Sequence, residues 1–513
     1  MSEAATPEMD SPRIRGWVQF VESCDYRWIA IVLAICFLAA TSFDISTYPL
    51  VGDDEAILND PGRILATTGE LRSDVLKANP GWNNVYVLQP PGLALSAAAS
   101  YSAFGFGIWQ TRLTGVLFGA FGIALIFVFV REVTQRTMPA LLAAMALFAW
   151  PAWVLTSKSA RMDSPAICFL LIASILIHRC MRSPQQLQPV HLFLAGLGVS
   201  VASTFHTASF TWALALLVPI IFYSKRRFVA STIYCLGASL IIGAWVIYGL
   251  YHFQAFENQF LFALAGRAAE GGLTNRLFQE TARYLLEFRR IPTLIMAVIL
   301  ALAGFAVTQG WRNRSVQFLF ILTAALVLSN VMLAGKVSGY YTLYPMTLIL
   351  CVVAVGVAAC IERDHSTSHG YLPHAAFFCF VVFFLNIVVV SYGPRVLAAA
   401  FQRTERNYAV QFRPLSTILK PGDQVWGSGV AWFAVVAASA RLDIKPQAIP
   451  IRWDTHPDPT RHKYLVIEPE ESPQSYDGFV KTETFGIPLP RVFGSTLANK
   501  PYVFELWKSQ KIQ

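Results

Sequence analysis

The sequence predicts a polytopic α-helical membrane protein of about eleven spanning helices, closed by a small C-terminal α/β domain. Three observations lead there. Apolar residues make up 55% of the 513 residues and charged residues only 14%, which is membrane-protein composition. Apolar runs near the roughly 20 residues that a helix needs to cross a bilayer recur up to residue 393. Beyond Gly393 hydrophobicity falls, and short helix-like and strand-like segments alternate.

The expected spans are 28–46, 111–131, 139–156, 164–181, 190–206, 208–224, 229–250, 292–309, 315–334, 340–361 and 373–393. The polar N-terminus leads into a full-length apolar run without a small-residue cleavage site, so no cleavable signal peptide is expected. Arg13, Arg15 and Arg27 precede the first span. With the N-terminus inside, the inner loops carry Arg131 and Arg136, then Arg179 and Arg182, then Lys225, Arg226 and Arg227, then Arg312 and Arg314, then Arg363. Every inner loop is then basic, as the positive-inside rule requires. The net charge of +9 is therefore a topology signal and not a nucleic-acid footprint. An odd number of spans places the C-terminus outside.

The eight cysteines fall in spans or near the inner face. The long outer loop and the tail have none, which excludes an outer disulfide framework. No CxxC or His/Cys cluster points to a structural metal.

Two outer segments are expected between the spans. The first, 47–110, is too long for a plain connector. It holds Asp53-Asp54-Glu55, a turn at Asn79-Pro80-Gly81, and Gln89-Pro90-Pro91-Gly92. The run Leu93 to Gly107 is short and rich in Ala, Ser and Gly, which suits an interfacial helix rather than a span. The second, 251–291, alternates Arg and Glu with Leu and Phe, as amphipathic surface helices do. The chain thus divides into a membrane domain, 1–393, with loops 47–110 and 251–291, and a soluble domain, 394–513. In the soluble domain Tyr408 to Leu419 and Val430 to Ala440 read as helices, and Gln424 to Gly427, Tyr464 to Glu468 and Tyr502 to Trp507 as strands.

The polar residues that do not belong in a membrane converge on the outer side of this topology. Asp53, Asp54 and Glu55 follow span one. Arg161 and Asp163 lie in the short connection before span four. His206 ends span five, and Lys336, Tyr340 and Tyr341 lie between spans nine and ten. Each has a plainer reading. Asp53 or Asp54 suits the N-cap of a helix beginning near Ala56, Asp163 a cap before Ser164-Pro165, Lys336 a snorkelling helix end, and the tyrosines an aromatic belt. Their shared location is what favours a site. A carboxylate there can accept a proton from an acceptor hydroxyl, and cations can hold a departing phosphate.

In order along the chain, these motifs resemble the GT-C glycosyltransferases. They are Asp54-Glu55 after span one, Pro90-Pro91 before the interfacial helix, Arg161-x-Asp163 before span four, and Lys336 followed by Tyr341-x-x-x-Pro345 before span ten. The nearest likeness is to the bacterial branch with the lipid A aminoarabinose transferase and the rhizobial galacturonosyltransferases; protein O-mannosyltransferases are more distant. The resemblance implies a GT-C-like fold in a bacterial inner membrane. It implies inverting transfer of a sugar from a polyprenyl-phosphate donor to a lipid, glycan or protein hydroxyl on the periplasmic side. It places Asp54, Glu55 and Asp163 at the catalytic carboxylates, and Arg161, His206, Lys336 and Tyr341 at the donor phosphate. Asp53 and Tyr340 would touch substrate nearby. His206 stands where several relatives have a Lys. No cofactor is required, although Asp54, Glu55 and Asp163 also suit a divalent ion held by oxygen. The competing class is a polytopic transporter or flippase, which usually shows internal repeats and helices broken at the midplane. Neither is visible here.

Overall fold

The computed structural model describes residues 12–512 except 78–83, 183–187, most of 268–312, 334–341, 363–371, 445–456, 470–475 and most of 493–501. Helices α1 (Pro12–Ser23), α2 (Tyr26–Ser42), α3 (Asp53–Thr68), α4 (Gly92–Phe104), α5 (Ile108–Thr134), α6 (Thr137–Ala149), α7 (Pro151–Lys158), α8 (Asp163–Arg182), α9 (Pro189–Phe205), α10 (Ser209–Tyr223) and α11 (Arg227–Tyr251) come first. After short helical turns over 253–267 come α12 (Arg314–Leu333), α13 (Leu343–Glu362) and α14 (Leu372–Phe401). Each expected span overlaps a helix except 292–309, which lies outside the described residues. By length and composition six of these helices can cross a membrane, or seven with one bent pair, and three more are apolar but shorter. The expected count of about eleven is thus higher than length and composition alone support among the described residues.

Helix α2 shows how the bundle is built. Asp25 caps it, accepting from the Arg27 backbone N–H at 2.9 Å. Ala30, Phe37 and Thr41 face inward on one stripe, while Trp28, Ile31, Val32 and Ile35 are exposed on the other. An apolar exposed face is what a lipid-facing helix needs, since a bilayer does not penalise it. The span expected at 139–156 is in fact two helices, α6 and α7, meeting at a bend of 60°. The cause is Pro151, which lacks an N–H and whose ring clashes with the preceding turn. Trp150 before it is extended, as a residue before proline prefers.

At the end of the bundle where α2, α7 and α14 finish, charges are buried together. Asp44 accepts from Arg395 Nε at 2.7 Å and Nη2 at 2.6 Å, and from Lys158 Nζ. Lys158 and Arg406 also lie over the Tyr48 ring. One carboxylate therefore ties three helix ends that are remote in sequence. At the opposite end Glu132 of α5 pairs with Arg179 of α8 at 2.5 Å. There Glu22 of α1 accepts from the Thr137 and Met138 backbone at the start of α6, both at 2.9 Å.

The C-terminal domain carries a five-stranded sheet, β1 (Gln424–Gly427), β2 (Arg441–Ile444), β3 (Tyr464–Ile467), β4 (Phe479–Phe485) and β5 (Phe504–Ser509), in the order β2-β1-β3-β5-β4. Strands β2, β1 and β3 are parallel, and β5 and β4 add antiparallel. The sequence signalled β1, β3 and β5 but not β2 or β4. Strand β4 buries only its end residues and exposes the five between, so it lacks the alternation that marks a half-buried strand. The expected helix at Tyr408 to Leu419 breaks at Phe412 into Tyr408–Gln411 and Arg413–Ile418, because Pro414 has no N–H to give the Val410 carbonyl and its ring crowds that turn.

This domain does not stand apart. Its core residues Tyr408, Phe412, Trp432, Val466 and Tyr502 pack in one cluster with Val51, Ala56, Ile57, Val75 and Leu88 of the first long loop and α3. Asp60 of α3 fixes the joint. It is fully buried, and its Oδ2 accepts from Ser73 Oγ at 3.0 Å and from the Asp74 and Val75 backbone at 2.7 and 3.1 Å. Val75 in turn accepts from the Ile444 backbone of β2 at 3.0 Å.

Removing Asp44 would leave Lys158 and Arg395 buried without their shared counter-charge, which typically costs about 3–5 kcal/mol. Asp44→Ala is therefore expected to lower the melting temperature of the purified protein sharply. Asp44→Asn, which keeps an acceptor, should cost less. Thermal unfolding in detergent reads both, and two wild-type melting curves would contradict the assignment.

Candidate active site

The acidic triplet opens α3 behind an N-cap at Gly52 that makes no side-chain bond. All three acids therefore lie in the first helical turn, where exposed N–H groups favour negative charge; none is the cap. Successive helical side chains point about 100° apart, at 3.6 residues per turn. Three neighbouring carboxylates must therefore meet three different surroundings.

Asp53 turns to the C-terminal domain, where its Oδ1 accepts from Ser428 Oγ at 3.0 Å and from the Val430 backbone at 3.2 Å. Asp54 remains about half exposed, with its side chain at 48%, and pairs through Oδ2 with Arg161 Nη1 at 2.5 Å. Glu55 is buried and closes a two-point pair with Arg112 of α5, at 3.0 Å to Nε and 2.5 Å to Nη2. The remaining arm of Arg112 donates to Ile45 O at 2.6 Å and Pro49 O at 2.9 Å. Glu55 thus holds the approach to α3 in place. Arg112 gave no signal in the sequence, because it lies in a span 57 positions from its partner.

Arg161 is aimed by backbone that few side chains tolerate. Ala160 has φ +50°, a left-handed conformation costing of order 1–3 kcal/mol for a residue with a Cβ. Asn59 of α3 holds it, donating from Nδ2 to Ala160 O at 3.2 Å and to Glu55 O at 3.0 Å. The reversal sends Arg161 back over α3. Its Nε donates to Asp163 Oδ2 at 3.0 Å while Nη1 reaches Asp54. Asp163 begins α8 and is fully buried, and its Oδ1 has no hydrogen-bond partner among the described residues. A buried carboxylate oxygen left unbonded is costly, which leaves the Arg161 contact at Oδ2 as the interaction that offsets the burial of this group.

The remaining expected residues divide. His206 ends α9, fully buried, with Nδ1 at 2.8 Å from the Tyr344 hydroxyl and its ring stacked on that of Tyr344. Tyr344 gives no signal of its own in the sequence, where Tyr341 is the tyrosine that the resemblance marks. The Pro90-Pro91 turn delivers the start of α4 to the same place, for a Cβ on Gly92 would stand 2.7 Å from Thr204 O. Only glycine permits that approach. Lys336, Tyr340 and Tyr341 lie outside the described residues.

Arg161 stands between Asp54 and Asp163, and Arg112 engages Glu55. Among the described residues no set of three metal-binding side chains gathers. Asp54 and Asp163 share the guanidinium of Arg161, and Glu55 has its own in Arg112.

Arg161→Ala would strand buried Asp163, and breaking one partner of such a pair costs about 3–5 kcal/mol. Adding Asp163→Asn should recover much of that loss, since the stranded charge is gone. Arg161→Lys should recover little, because one ammonium cannot reproduce a fork spread over two carboxylates. Melting temperatures of the single and double variants decide this. Equal losses in Arg161→Ala with and without Asp163→Asn would deny the pairing.

Comparisons with known proteins bear on the fold. The family model described as dolichyl-phosphate-mannose-protein mannosyltransferase matches residues 88–251, from just before α4 to the end of α11. A search of curated proteins finds no match. Among solved structures, ArnT from Cupriavidus metallidurans in the apo state superposes with a TM-score of 0.61 at 15% identity, covering 97% of this chain and 99% of that one. The same protein bound to undecaprenyl phosphate gives 0.59 at 15% identity, with 96% and 98% covered. Arabinofuranosyltransferase AftD from Mycobacteria gives 0.54 at 15% identity, covering 95% of this chain and 40% of that one. The resemblance carried by the acidic pair, the Pro-Pro turn and Arg161-x-Asp163 is thus matched by the whole architecture: the chain has the fold of the GT-C membrane glycosyltransferases.

Proposed function

We propose that this protein is an inverting glycosyltransferase that moves a sugar from a polyprenyl-phosphate donor to a hydroxyl of a lipid, glycan or protein acceptor. The observation that carries the reading is Arg161 bridging half-exposed Asp54 and buried Asp163 at one end of the helices. The family match over 88–251 and the fold support the class, and a structural neighbour that binds undecaprenyl phosphate supports the donor.

The proposed chemistry uses that geometry. Asp54 is the one carboxylate of the triplet that is neither buried nor turned to the C-terminal domain, so an acceptor hydroxyl can reach it. The acceptor oxygen attacks the anomeric carbon on the face opposite the phosphate. As that bond forms, the carbon–oxygen bond to phosphate breaks and inverts the centre. The proton of the acceptor passes to Asp54, and the bonding pair leaves on the phosphate. Asp163, buried, aims the Arg161 guanidinium from behind through Oδ2, and Glu55 fixes the turn through Arg112. Two carboxylates on one guanidinium leave a negative excess, so the leaving phosphate needs further cations. Lys336 and His206, with Tyr341, are assigned to it alongside the arm of Arg161 that reaches Asp54. No step requires a cofactor.

The site is assigned to the periplasmic face of a bacterial inner membrane, with the N-terminus cytoplasmic and the domain beyond α14 periplasmic. Arg131, Arg136, Arg179, Arg182 and the Lys225–Arg227 run lie on connections or helix ends away from the site, as inner loops should. Reporter fusions after Lys225 should read cytoplasm and fusions after Phe401 periplasm. Both on one side would overturn the topology.

Asp54→Asn keeps size and a hydrogen-bond acceptor but removes the base. It is expected to insert and melt normally while transfer falls by roughly a hundred- to ten-thousand-fold, the usual range for general-base catalysis. The assay is turnover of purified protein with polyprenyl-phosphate sugars, with acceptors drawn from the lipids and glycans altered in a strain lacking the protein. Near-normal turnover would remove Asp54 as base.

A further inference from the structure

The C-terminal domain grips the polypeptide immediately before Asp54. Val51 donates its backbone N–H to the Tyr502 hydroxyl at 2.6 Å. Tyr502 is buried, and burial pushes its phenol well above the ordinary value, so it stays a neutral hydroxyl. Two residues on, Asp53 takes two bonds from the segment that follows β1: Ser428 Oγ and the Val430 backbone. Between them, Gly429 packs against α3 so closely that a Cβ would stand 2.9 Å from Asp53 Oδ1 and 3.0 Å from Asp53 Cα. The clamp is itself braced. Ser428 donates its backbone N–H to Val466 O of β3 at 3.0 Å, and Val430 O accepts from the buried Tyr408 hydroxyl at 2.7 Å.

We infer that the Ser428–Val430 segment of the C-terminal domain is a positioning element for the catalytic carboxylate, acting through Asp53. This rests on the reading of Asp54 as base. In a helix each side chain is set about 100° from its neighbour. A fixed Asp53 therefore fixes the direction in which Asp54 points, toward Arg161 and the space where an acceptor reacts. The domain supplies no reacting group; it sets the rotation of the first turn of α3. Asp53, expected beside substrate, is then a positioning residue. Small misplacements of reacting groups cost rate steeply, about a hundredfold per ångström, so a clamp one residue away affects turnover without touching substrate.

The test uses the full-length purified protein and the variants Ser428→Ala, Ser428→Thr and Gly429→Ala. Ser428→Ala and Gly429→Ala are expected to lower kcat by tenfold or more with the donor KM unchanged, and Ser428→Thr, which keeps the hydroxyl, to restore it. Hydrogen–deuterium exchange gives a second readout that needs no turnover. Amides of 52–58 should exchange faster in Ser428→Ala and Gly429→Ala, while β1 and β3 keep their protection. Wild-type kcat in both variants, or faster exchange spread through the whole sheet without rescue by Thr, would overturn the proposal. So would faster exchange at 52–58 with unchanged kcat. An active Asp54→Asn protein would instead overturn the base, and this role with it. An inactive Asp54→Asn beside a normal Ser428→Ala would remove only the clamp.

Discussion

One guanidinium organises the end of this molecule at which α3 begins. Arg161 holds a carboxylate that solvent reaches and another that it does not, each through a different nitrogen. Taking Asp163 out of water is expensive, and only a partner of opposite charge in good geometry offsets it. Arg161 cannot be that partner without the left-handed turn at Ala160, and the turn persists because Asn59 of α3 bonds its carbonyl. The strained loop, the buried acid and the first turn of α3 are thus one arrangement.

The same logic extends across that end of the bundle. Glu55 with Arg112, and Asp44 with Lys158 and Arg395, join α3 to α5 and α2 to α7 and α14. Charges of this kind are rare in apolar helices unless paired or used. Here they sit at helix ends and lock them in register, while the helix bodies pack by apolar contact and by neutral hydrogen bonds such as Trp212 Nε1 to Ser174 Oγ at 3.1 Å and the Tyr234 hydroxyl to Ala213 O at 2.9 Å. The C-terminal domain completes the frame by sharing a core with α3 and the first loop. Rigid support on several sides is what a site needs to hold reacting groups in place without loops that drift.

Much of this was legible in the residues, for identifiable reasons. Helices in a membrane are written as long apolar runs, so nearly every expected span found its helix. The acidic triplet, Arg161-x-Asp163 and His206 stood out because polar residues at span ends are conspicuous. What the triplet would do was not legible. Read as a line of three acids, it suggested one shared site; wound into a helix, it fans out to Ser428, Arg161 and Arg112. Those partners lie 375, 107 and 57 positions away, and no local pattern announces a pair at such range. Tyr344, Lys158 and Arg395 were hidden likewise. Strand β4, with mostly exposed residues, and β2, whose buried stretch includes the charged Asp443, carried too little periodicity to be seen. The bend at Pro151 was readable in principle, since proline within a span breaks it.

The central claim is that Arg161 and its two carboxylates face a lipid-linked sugar phosphate. The most direct measurement is a cryo-electron-microscopy structure of the purified protein with a polyprenyl phosphate bound. The phosphate is expected at the end of the bundle that carries α3, within hydrogen-bonding reach of Arg161, with Asp54 turned toward open space beside it. A phosphate bound at the opposite end, near Arg179 and Arg182, with the Arg161 cluster unchanged and remote, would contradict it.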